Sequence, residues 1–277
     1  MTQAASRTAI ALTIAGSDSS GGAGVQADLK TFSAFGVYGA AVITALTAQN
    51  TRGVSGVEPV APGFVGAQIE AVLSDLAVDA IKTGMLADAG IVEVVADRLG
   101  RGPQRPVVVD PVMVAASGDV LLAPDAVEAL KRELIPLAAL ITPNLPEAAR
   151  LLGANIAADE AEATAQAKAL RFLGCSAVLL KGGHAQGATA VDILCDRAGV
   201  ERYERPRVDT KNTHGTGCTL SAAITALLGQ GVDLRQAIRR AKDYVWQALE
   251  AGRELGVGRG SGPVDHLYDV RKNRPPA

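Results

Sequence analysis

The chain has 277 residues, of which 48% are hydrophobic and 20% are charged, and its formal net charge at pH 7 is −2. This composition is typical of a packed globular protein and excludes an intrinsically disordered chain. Because the lysines and arginines are scattered and nearly balanced by acidic residues, the sequence gives no indication of binding to nucleic acid or to a membrane surface.

The cysteines and the apolar segments give information about the cellular compartment of the protein. The three cysteines have neither a disulfide-framework spacing nor a zinc-ligand spacing, which fits a reducing cytoplasm. No segment is long and apolar enough to span a membrane. The apolar run at 9–15 is short and leads into a glycine-rich turn, so it predicts a buried strand and not a signal peptide.

Strand-like and helix-like segments alternate along the chain. The predicted strands are 10–14, 41–46, 78–82, 106–109, 139–141, 177–180 and 190–194. The predicted helices are 26–35, 64–76, 91–99, 124–134, 147–152, 159–173, one that starts at the glycine-rich turn near residue 215, and one that runs from Asp233 towards Gly256. We therefore expect a single three-layer α/β domain over residues 1–277, in which a mainly parallel sheet has helices on both faces, with disordered ends at about 1–8 and 271–277.

In such a fold, ligands bind beyond the carboxyl ends of the strands. The glycine-rich segment 16–24 follows the first predicted strand, but it contains neither a P-loop nor a dinucleotide fingerprint. We therefore interpret it as the wall of a small-molecule pocket. Asp28, one turn into the next helix, could reach a hydroxyl group of the ligand, although a capping role fits its position equally well. Met85, in the loop after the predicted strand 78–82, is predicted to line the pocket or to belong to the core.

The clearest signal is Gly215-Thr216-Gly217-Cys218, which leads directly into a helical pattern. Glycines allow close approach of the backbone, and the free N–H groups and the dipole of a helix N-terminus favour an anion, so this turn predicts a phosphate site. In that position the pKa of the Cys218 thiol should fall below about 8.5, so that it can accept a proton near neutral pH. The alternative is a turn that only packs, with Cys218 as a small buried side chain.

Side chains that could supply oxygen ligands or a positive charge follow other predicted strands. Asn144 and Glu147 stand at a predicted helix start, where they could bind Mg²⁺ or its water shell, or could form only a helix cap. Asp110 is a further oxygen donor, or a loop residue. Lys181 precedes two glycines at a strand end and could neutralise a triphosphate, or could belong to a surface hairpin; Lys211 is similar. The histidines form no metal set and are each predicted to be hydrogen-bonded structural residues: His184, His214 and His266.

Six segments occur in order between about residue 10 and residue 264. They are AGSDSSGGAGVQADLKTF at 15–32, TALTAQNT at 44–51, KTGML at 82–86, TPNLPEA at 142–148, KGGH at 181–184 and NTHGTGCTLS at 212–221. Together they resemble the hydroxymethylpyrimidine/phosphomethylpyrimidine kinases of thiamine biosynthesis. The resemblance implies a ribokinase-like fold, a homodimer, and two ATP- and Mg²⁺-dependent phosphorylations, which convert 4-amino-5-hydroxymethyl-2-methylpyrimidine to its monophosphate and then to its diphosphate. We expect no fused thiamine-phosphate synthase domain.

The resemblance also implies roles for single residues. Gln49 would bind the pyrimidine, in a pocket lined by Gly16, Ala23 and Met85 and approached by Asp28. Asn144, Glu147 and Asp110 would hold Mg²⁺, in part through water. The nucleotide would contact Lys181, Thr210, Lys211 and Thr216. The catalytic group would comprise Gly215, Gly217, Lys181 and Cys218.

Two questions stay open at this point. The wider superfamily usually has an aspartate base after the second glycine, where this chain has Cys218, as this branch of kinases does, so the identity and strength of the base are undecided. The function also has two alternatives: a pyridoxine or pyridoxal kinase on the same fold, or a non-catalytic regulator that binds a pyrimidine.

Overall fold

The computed structural model describes residues 7–114, 118, 121–183 and 187–272. The strands are β1 (Ile10–Ala15), β2 (Tyr38–Ile43), β3 (Ala45–Asn50), β4 (Gly53–Pro59), β5 (Ala80–Thr83), β6 (Val107–Val109), β7 (Leu140–Ile141), β8 (Val178–Lys181), β9 (Thr189–Asp196) and β10 (Gly199–Pro206). The helices are α1 (Gly24–Ala34), α2 (Pro62–Leu73), α3 (Ala89–Gly100), α4 (Pro124–Ala129), α5 (Leu145–Leu152), α6 (Glu160–Leu170), α7 (Thr216–Gly229), α8 (Leu234–Gly252) and α9 (Tyr268–Lys272).

Within these ranges, eight strands form one sheet in the order β10-β9-β8-β7-β6-β5-β1-β2. All neighbours from β8 to β2 are parallel, whereas β9 and β10 are antiparallel additions at one edge. The predicted class, a mainly parallel sheet of the ribokinase-like type, is therefore confirmed. Strand β10 was not predicted, because its charged residues and shallow burial do not give the apolar pattern of the central strands.

Buried strands with both faces apolar explain why helices cover both sides of this sheet. In β6, Val107 and Val109 join the core beneath α2, α3, α4 and α6, while Val108 points the other way, into the core beneath α7 and α8. The same alternation in the other parallel strands gives the three layers. None of the helices in the described ranges combines the length and the apolar character that crossing a bilayer would require.

Strands β3 and β4 form a separate two-stranded antiparallel sheet. We had predicted one strand over 41–46, but the chain divides there into β2 and β3. Thr44 lies at the division, where its hydroxyl donates to the Met85 carbonyl oxygen at 2.7 Å and its N–H donates to the Ala15 carbonyl oxygen at 3.1 Å. The β3–β4 hairpin therefore stands beside the carboxyl ends of β1 and β5.

Other predicted boundaries shift by a few residues. The segment predicted as one helix over 124–134 continues beyond α4 as a π turn, and the segment 159–173 ends in a 3₁₀ turn after α6. Helix α9 was not predicted. Near the two ends of the described residues, Arg7 pairs with Asp79 and Arg271 pairs with Asp265 at 3.3 Å.

Candidate active site

A cavity of about 780 Å³ opens at the carboxyl ends of the parallel strands, which is the size of a small-molecule site. It brings together predicted residues from seven separate segments of the chain. Those that line it are Gly16, Ala23, Gln49, Met85, Asp110, Asn144, Glu147, Lys181, Gly215, Thr216, Gly217 and Cys218. His184 lies outside the described residues.

The turn before α7 has its predicted conformation. Gly215 is the N-cap with φ at 79°, a left-handed conformation that favours glycine, and a Cβ there would collide with the carbonyl oxygen of Gly22. Among the described residues no side chain caps this helix, and its first three residues, Thr216, Gly217 and Cys218, line the cavity. That arrangement suits a phosphate group.

An ammonium group lies against the same turn. Lys181 Nζ is 2.7 Å from Asp110 Oδ1 and about 3.1 Å from the point where a Cβ on Gly217 would stand. Burial alone would lower the pKa of Lys181, but the carboxylates of Asp110 and Glu147 outweigh burial and raise it. Lys181 therefore stays charged beside the helix N-terminus, where it can neutralise a phosphate.

Asp110 holds this lysine in place. Besides the ion pair, its carboxylate accepts hydrogen bonds from the hydroxyls of Thr142 and Ser221, each at 3.1 Å. Burial would raise the pKa of Asp110, but Lys181, Lys82 and these donors lower it. These contacts make Asp110 the anchor of Lys181, and its role as a metal ligand stays a prediction.

Asn144 and Glu147 form a reciprocal helix cap at the start of α5. Asn144 Oδ1 accepts from the Glu147 N–H at 2.8 Å, and Glu147 Oε2 accepts from the Asn144 N–H at 2.7 Å. The capping alternative is therefore correct, but the Glu147 carboxyl also lines the cavity. Burial raises the pKa of Glu147 to about 7, which Lys181 partly opposes. An added cation would favour its ionised form.

The donor set limits how a metal could bind. In the described ranges no three His, Cys, Asp or Glu side chains are grouped to hold a metal ion. Mg²⁺ commonly keeps several waters and takes one or two protein carboxylates together with substrate phosphates. Glu147 beside Lys181 and the α7 turn fits that kind of site, and does not fit a cage made only of protein ligands.

The first glycine-rich loop is organised by Asp18, a residue that we had not predicted. The buried Asp18 carboxylate accepts from the N–H groups of Ser20, Gly22 and Ala23 at 2.8–3.0 Å and lies 2.7 Å from His214 Nε2. Burial would raise the pKa of Asp18, but His214 and Ser20 hold it well below the ordinary range. No local sequence pattern reveals this role, because the partner histidine is 196 residues away.

Two histidines match the prediction of structural, hydrogen-bonded side chains. His214 contacts Asp18, and its Nε2 also lies 3.5 Å from Gln49 Nε2 at the cavity wall. His266 Nε2 lies 3.0 Å from the Thr219 hydroxyl, and burial lowers the pKa of His266 to about 4. His214 does more than the prediction allowed, since it joins the first loop to the α7 turn.

Gln49 lines the cavity, but from a different element than expected. It belongs to β3, next to a register shift between Ala48 and Gln49, and does not follow a strand of the main sheet. Its backbone N–H and carbonyl both bond to the Ser19 hydroxyl, at 2.9 and 2.8 Å, and its Oε1 lies 3.2 Å from the Thr47 hydroxyl. The hairpin thus holds the amide above the first loop.

A family model described as phosphomethylpyrimidine kinase matches residues 18–265. The chain belongs to the phosphomethylpyrimidine kinase family. A hydroxymethylpyrimidine/phosphomethylpyrimidine kinase of Rhizobium meliloti is 57% identical over 94% of this chain and 98% of that protein, and one of Salmonella typhimurium is 55% identical over 93% and 97%.

Solved structures agree on the fold of this family member. An ADP complex of Bacillus subtilis pyridoxal kinase has a TM-score of 0.88 at 39% identity and covers 96% of this chain and 100% of that chain. Phosphomethylpyrimidine kinase from Clostridium difficile has a TM-score of 0.77 at 44% identity and covers 87% and 100%.

Three predicted site residues of this kinase lie away from the cavity wall. Asp28 is fully buried, where it accepts from the Thr13 hydroxyl at 2.6 Å and pairs with Lys82 at 2.9 Å. This position replaces the predicted contact of Asp28 with a ligand. Thr210 and Lys211 are also absent from the cavity lining: the Thr210 hydroxyl accepts from the backbone N–H of Asn212 at 3.1 Å, and Lys211 is exposed.

Three residues that we had not predicted also line the cavity of the kinase: Asp192, Lys242 and Trp246. Lys242 Nζ lies 2.6 Å from Asp192 Oδ2, and Asp192 Oδ1 accepts from the Gly182 N–H at 3.0 Å. Trp246, one turn after Lys242 on α8, also lines the cavity and donates to the Pro206 carbonyl oxygen at 3.1 Å. In the sequence these residues belong to an amphipathic helix and a strand, so nothing local marks them.

The expected lowering of the Cys218 pKa is wrong. Burial raises the pKa of Cys218 to about 11, and the Lys82 ammonium and a backbone N–H of Gly24 only partly oppose it, since Asp28 and Asp110 add negative charge. The prediction considered the helix N-terminus alone and omitted desolvation. Near neutral pH, Cys218 is therefore a thiol.

We predict that Gly215→Ala disrupts the turn. A left-handed alanine costs about 1–2 kcal/mol, and the contact with Gly22 adds to that cost. Urea unfolding should show the loss, and kcat/KM for ATP should fall more than about tenfold, the effect of 1.4 kcal/mol on the transition state.

Gly229→Ala is the matched control on the same helix. A Cβ there meets Ala80 Cβ only at an ordinary 3.5 Å. Equal behaviour of the two variants would contradict the tight packing of the turn on the first loop.

Proposed function

We propose that the protein uses ATP to phosphorylate 4-amino-5-hydroxymethyl-2-methylpyrimidine and then phosphorylates the resulting monophosphate to the diphosphate. The observation that carries the proposal is one cavity that holds both the uncapped α7 turn with Lys181 and the amide of Gln49. The names of the Rhizobium and Salmonella relatives support the same substrates. A regulator without catalysis would not need the anion turn and the lysine together.

The geometry suits phosphoryl transfer. This reaction depends mainly on alignment and on stabilising negative charge. The N–H groups of α7 and the Lys181 ammonium would stabilise the transferring phosphoryl group. Cys218, in the first turn of α7, would take the proton of the attacking hydroxyl in its thiolate form, which is a minor form near neutral pH because burial raises the pKa of Cys218 to about 11. Glu147, with Asn144 beside it, would hold Mg²⁺ or its water shell, and the ion would supply positive charge for the phosphates.

The decisive experiment follows products by mass spectrometry with saturating ATP, Mg²⁺ and hydroxymethylpyrimidine. We expect the monophosphate to appear first and the diphosphate to follow. Starting from the monophosphate should give the diphosphate directly. Absence of the diphosphate in both incubations would reject the two-step function.

Pyridoxal phosphorylation is the second candidate, because pyridoxal kinases from Bacillus subtilis and Staphylococcus aureus share the fold with TM-scores of 0.88 and 0.87. Initial rates of ADP formation should be measured in a coupled assay, with pyridoxal and with hydroxymethylpyrimidine as substrates. We expect a higher kcat/KM for the pyrimidine. A higher kcat/KM for pyridoxal would mean that the chain is a pyridoxal kinase instead.

For magnesium, we predict that Glu147→Gln raises the Mg²⁺ concentration needed for half-maximal activity and lowers kcat. An amide keeps the shape of the side chain but loses the charge that would hold the ion or its waters. The measurement is a Mg²⁺ titration of initial rates at fixed ATP.

Glu162→Gln provides the matched control. Glu162 also accepts a backbone N–H at a helix start, at 2.8 Å from Ala158, but it is exposed and outside the cavity. A Glu147 variant whose titration resembles that of the Glu162 variant would leave Glu147 with a capping role only.

For substrate choice, we predict that Gln49→Leu raises KM for the pyrimidine and leaves KM for ATP nearly unchanged. An aminopyrimidine presents a donor beside an acceptor, which a glutamine amide complements. Each unpaired polar group of the ligand would cost roughly 1–3 kcal/mol. An analogue without the amino group should bind the native enzyme weakly and respond little to the mutation. Equal losses for both ligands would mean that Gln49 only shapes the hairpin.

We also infer a homodimer and a single kinase domain. Exposed apolar side chains on β2, the β3–β4 hairpin and α2 support a self-association surface: Tyr38, Leu46, Val57 and Phe64. Sedimentation equilibrium would test the dimer.

The hairpin joins the main body through the hydrogen bond from the Ser17 N–H to the Ala45 carbonyl oxygen at 2.8 Å, which supports one domain. The three free cysteines support a cytoplasmic location.

A further inference from the structure

The tip of the β3–β4 hairpin, at Thr51, rests on residues 258–262, which we call the glycine segment. The Ser261 N–H donates to the Thr51 carbonyl oxygen at 2.8 Å, and the Gly260 N–H donates to the Thr51 hydroxyl oxygen at 3.1 Å. The packing is close, because a Cβ on Gly260 would collide with the Thr51 carbonyl oxygen. The glycine segment therefore holds the hairpin tip through backbone contacts as well as through one side chain.

The other side of the glycine segment contacts the chain that leads into α7. The Ser261 hydroxyl donates to the Lys211 carbonyl oxygen at 3.0 Å, and the His214 N–H donates to the Gly262 carbonyl oxygen at 3.0 Å. His214 directly precedes Gly215, the N-cap of α7. Two successive residues of the glycine segment thus connect the hairpin tip to the approach of the phosphate turn.

A gap separates the hairpin tip from His214. A second cavity, of about 340 Å³, is lined on one side by residues 49–53 and on the other by His214, Gly260 and Ser261. Across it, the Nε2 atoms of Gln49 and His214 lie 3.5 Å apart, which is too long for a strong hydrogen bond. Direct packing therefore fixes the relative position of these two parts weakly, and the glycine segment bridges them.

Gln49 lies between two attachments of the hairpin. Before it, β3 is bonded to the first loop, since the Ser17 N–H donates to the Ala45 carbonyl oxygen at 2.8 Å and the Gln49 N–H donates to the Ser19 hydroxyl oxygen at 2.9 Å. Two residues after it, Thr51 is bonded to the glycine segment. A movement of the tip would turn Gln49 about the first attachment and change the direction of its amide.

We propose that Thr51 and Gly260 are positioning residues for phosphoryl transfer, which set how a substrate bound to the Gln49 amide faces the phosphate turn. Neither residue lines the main cavity, so both act through others. The proposal rests on the proposed function, in which Gln49 binds the pyrimidine and the α7 turn holds the phosphate. Reacting groups that are held about 1 Å out of place can lose about a hundredfold in rate.

Gly260→Ala tests the proposal, because a Cβ there must push the Thr51 backbone away. We expect kcat with hydroxymethylpyrimidine to fall by about tenfold to a hundredfold, the cost of misalignment. KM for ATP should stay nearly unchanged, because the α7 turn keeps its own contacts with the first loop. Damage to the phosphate turn itself would instead raise KM for ATP.

Gly56→Ala is the matched control on the same hairpin. A Cβ on Gly56 would meet Ala48 Cβ at an ordinary 3.7 Å, and Gly56 lines neither cavity. We expect its kcat to stay near that of the parent enzyme. Thermal melting of each variant shows that the rates are measured on folded protein.

A pair of variants at Thr51 tests the same contact without a collision. Thr51→Val keeps the shape of the side chain but loses the oxygen that accepts the Gly260 N–H, whereas Thr51→Ser keeps that oxygen. We expect kcat to fall in Thr51→Val and to be retained in Thr51→Ser. If Gly260→Ala does not fold, this pair decides.

Hydrogen–deuterium exchange without substrates provides a readout that does not depend on turnover. Peptides that contain residues 258–262 are identical in the two Thr51 variants, so their exchange rates compare directly. We expect faster exchange in Thr51→Val, because the Gly260 N–H loses its acceptor.

Equal kcat values for folded Gly260→Ala and Gly56→Ala, or for Thr51→Val and Thr51→Ser, would overturn the proposal. Faster exchange with an unchanged kcat would also overturn it, since the contact would then be structural alone. Failure of the proposed function looks different, because the native enzyme itself would then give no phosphorylated pyrimidine, whatever the exchange rates.

Discussion

The site depends on a single carboxylate that holds two distant loops together. Asp18 gathers the N–H groups of the first glycine-rich loop and, through His214, fixes the segment that leads into α7. Charge-assisted hydrogen bonds of this kind are stronger than neutral ones, and they keep Asp18 ionised although it is buried. Gly215 can then pack its backbone directly on Gly22. The wall that surrounds a substrate and the turn that would hold a phosphate therefore form one rigid unit.

Below that unit, buried charges alternate in sign. Lys82 pairs with Asp28, and Lys181 pairs with Asp110, which the hydroxyl of Ser221 from α7 also contacts. Isolated charges would be costly to bury there, so each lysine is held by a carboxylate. Of the two lysines, Lys181 lies against the helix N-terminus, where an anionic ligand gains from both the dipole and the ammonium group. The pairs explain how positive charge is kept at the cavity before a ligand arrives.

Sequence patterns predicted the parts of this site that are local. Gly215 and Gly217 stand out because a glycine-rich turn and a helix are adjacent in the chain, and Asn144 and Glu147 stand out because a helix start has a recognisable spacing. The pairing of Asp18 with His214 and that of Lys242 with Asp192 could not be found in this way, since each joins residues far apart in the chain. The thiol of Cys218 shows a different limit: its local environment was read correctly, but burial, a property of the whole fold, reversed the direction of its pKa.

The raised pKa gives a physical reason for a cysteine at position 218. An aspartate at position 218 would add a permanent negative charge close to Asp28 and Asp110, in a cavity proposed to receive a triphosphate and, in its second reaction, a substrate that is itself a phosphate. A thiol whose pKa is raised by burial carries no charge while these anions bind. Only the fraction that is already ionised can take the hydroxyl proton, and Lys82 is the charged side chain that favours this ionised form. A raised pKa is nevertheless compatible with a proton-accepting role, because a thiolate whose conjugate acid is weak is a strong base, so the small ionised fraction binds a proton more readily.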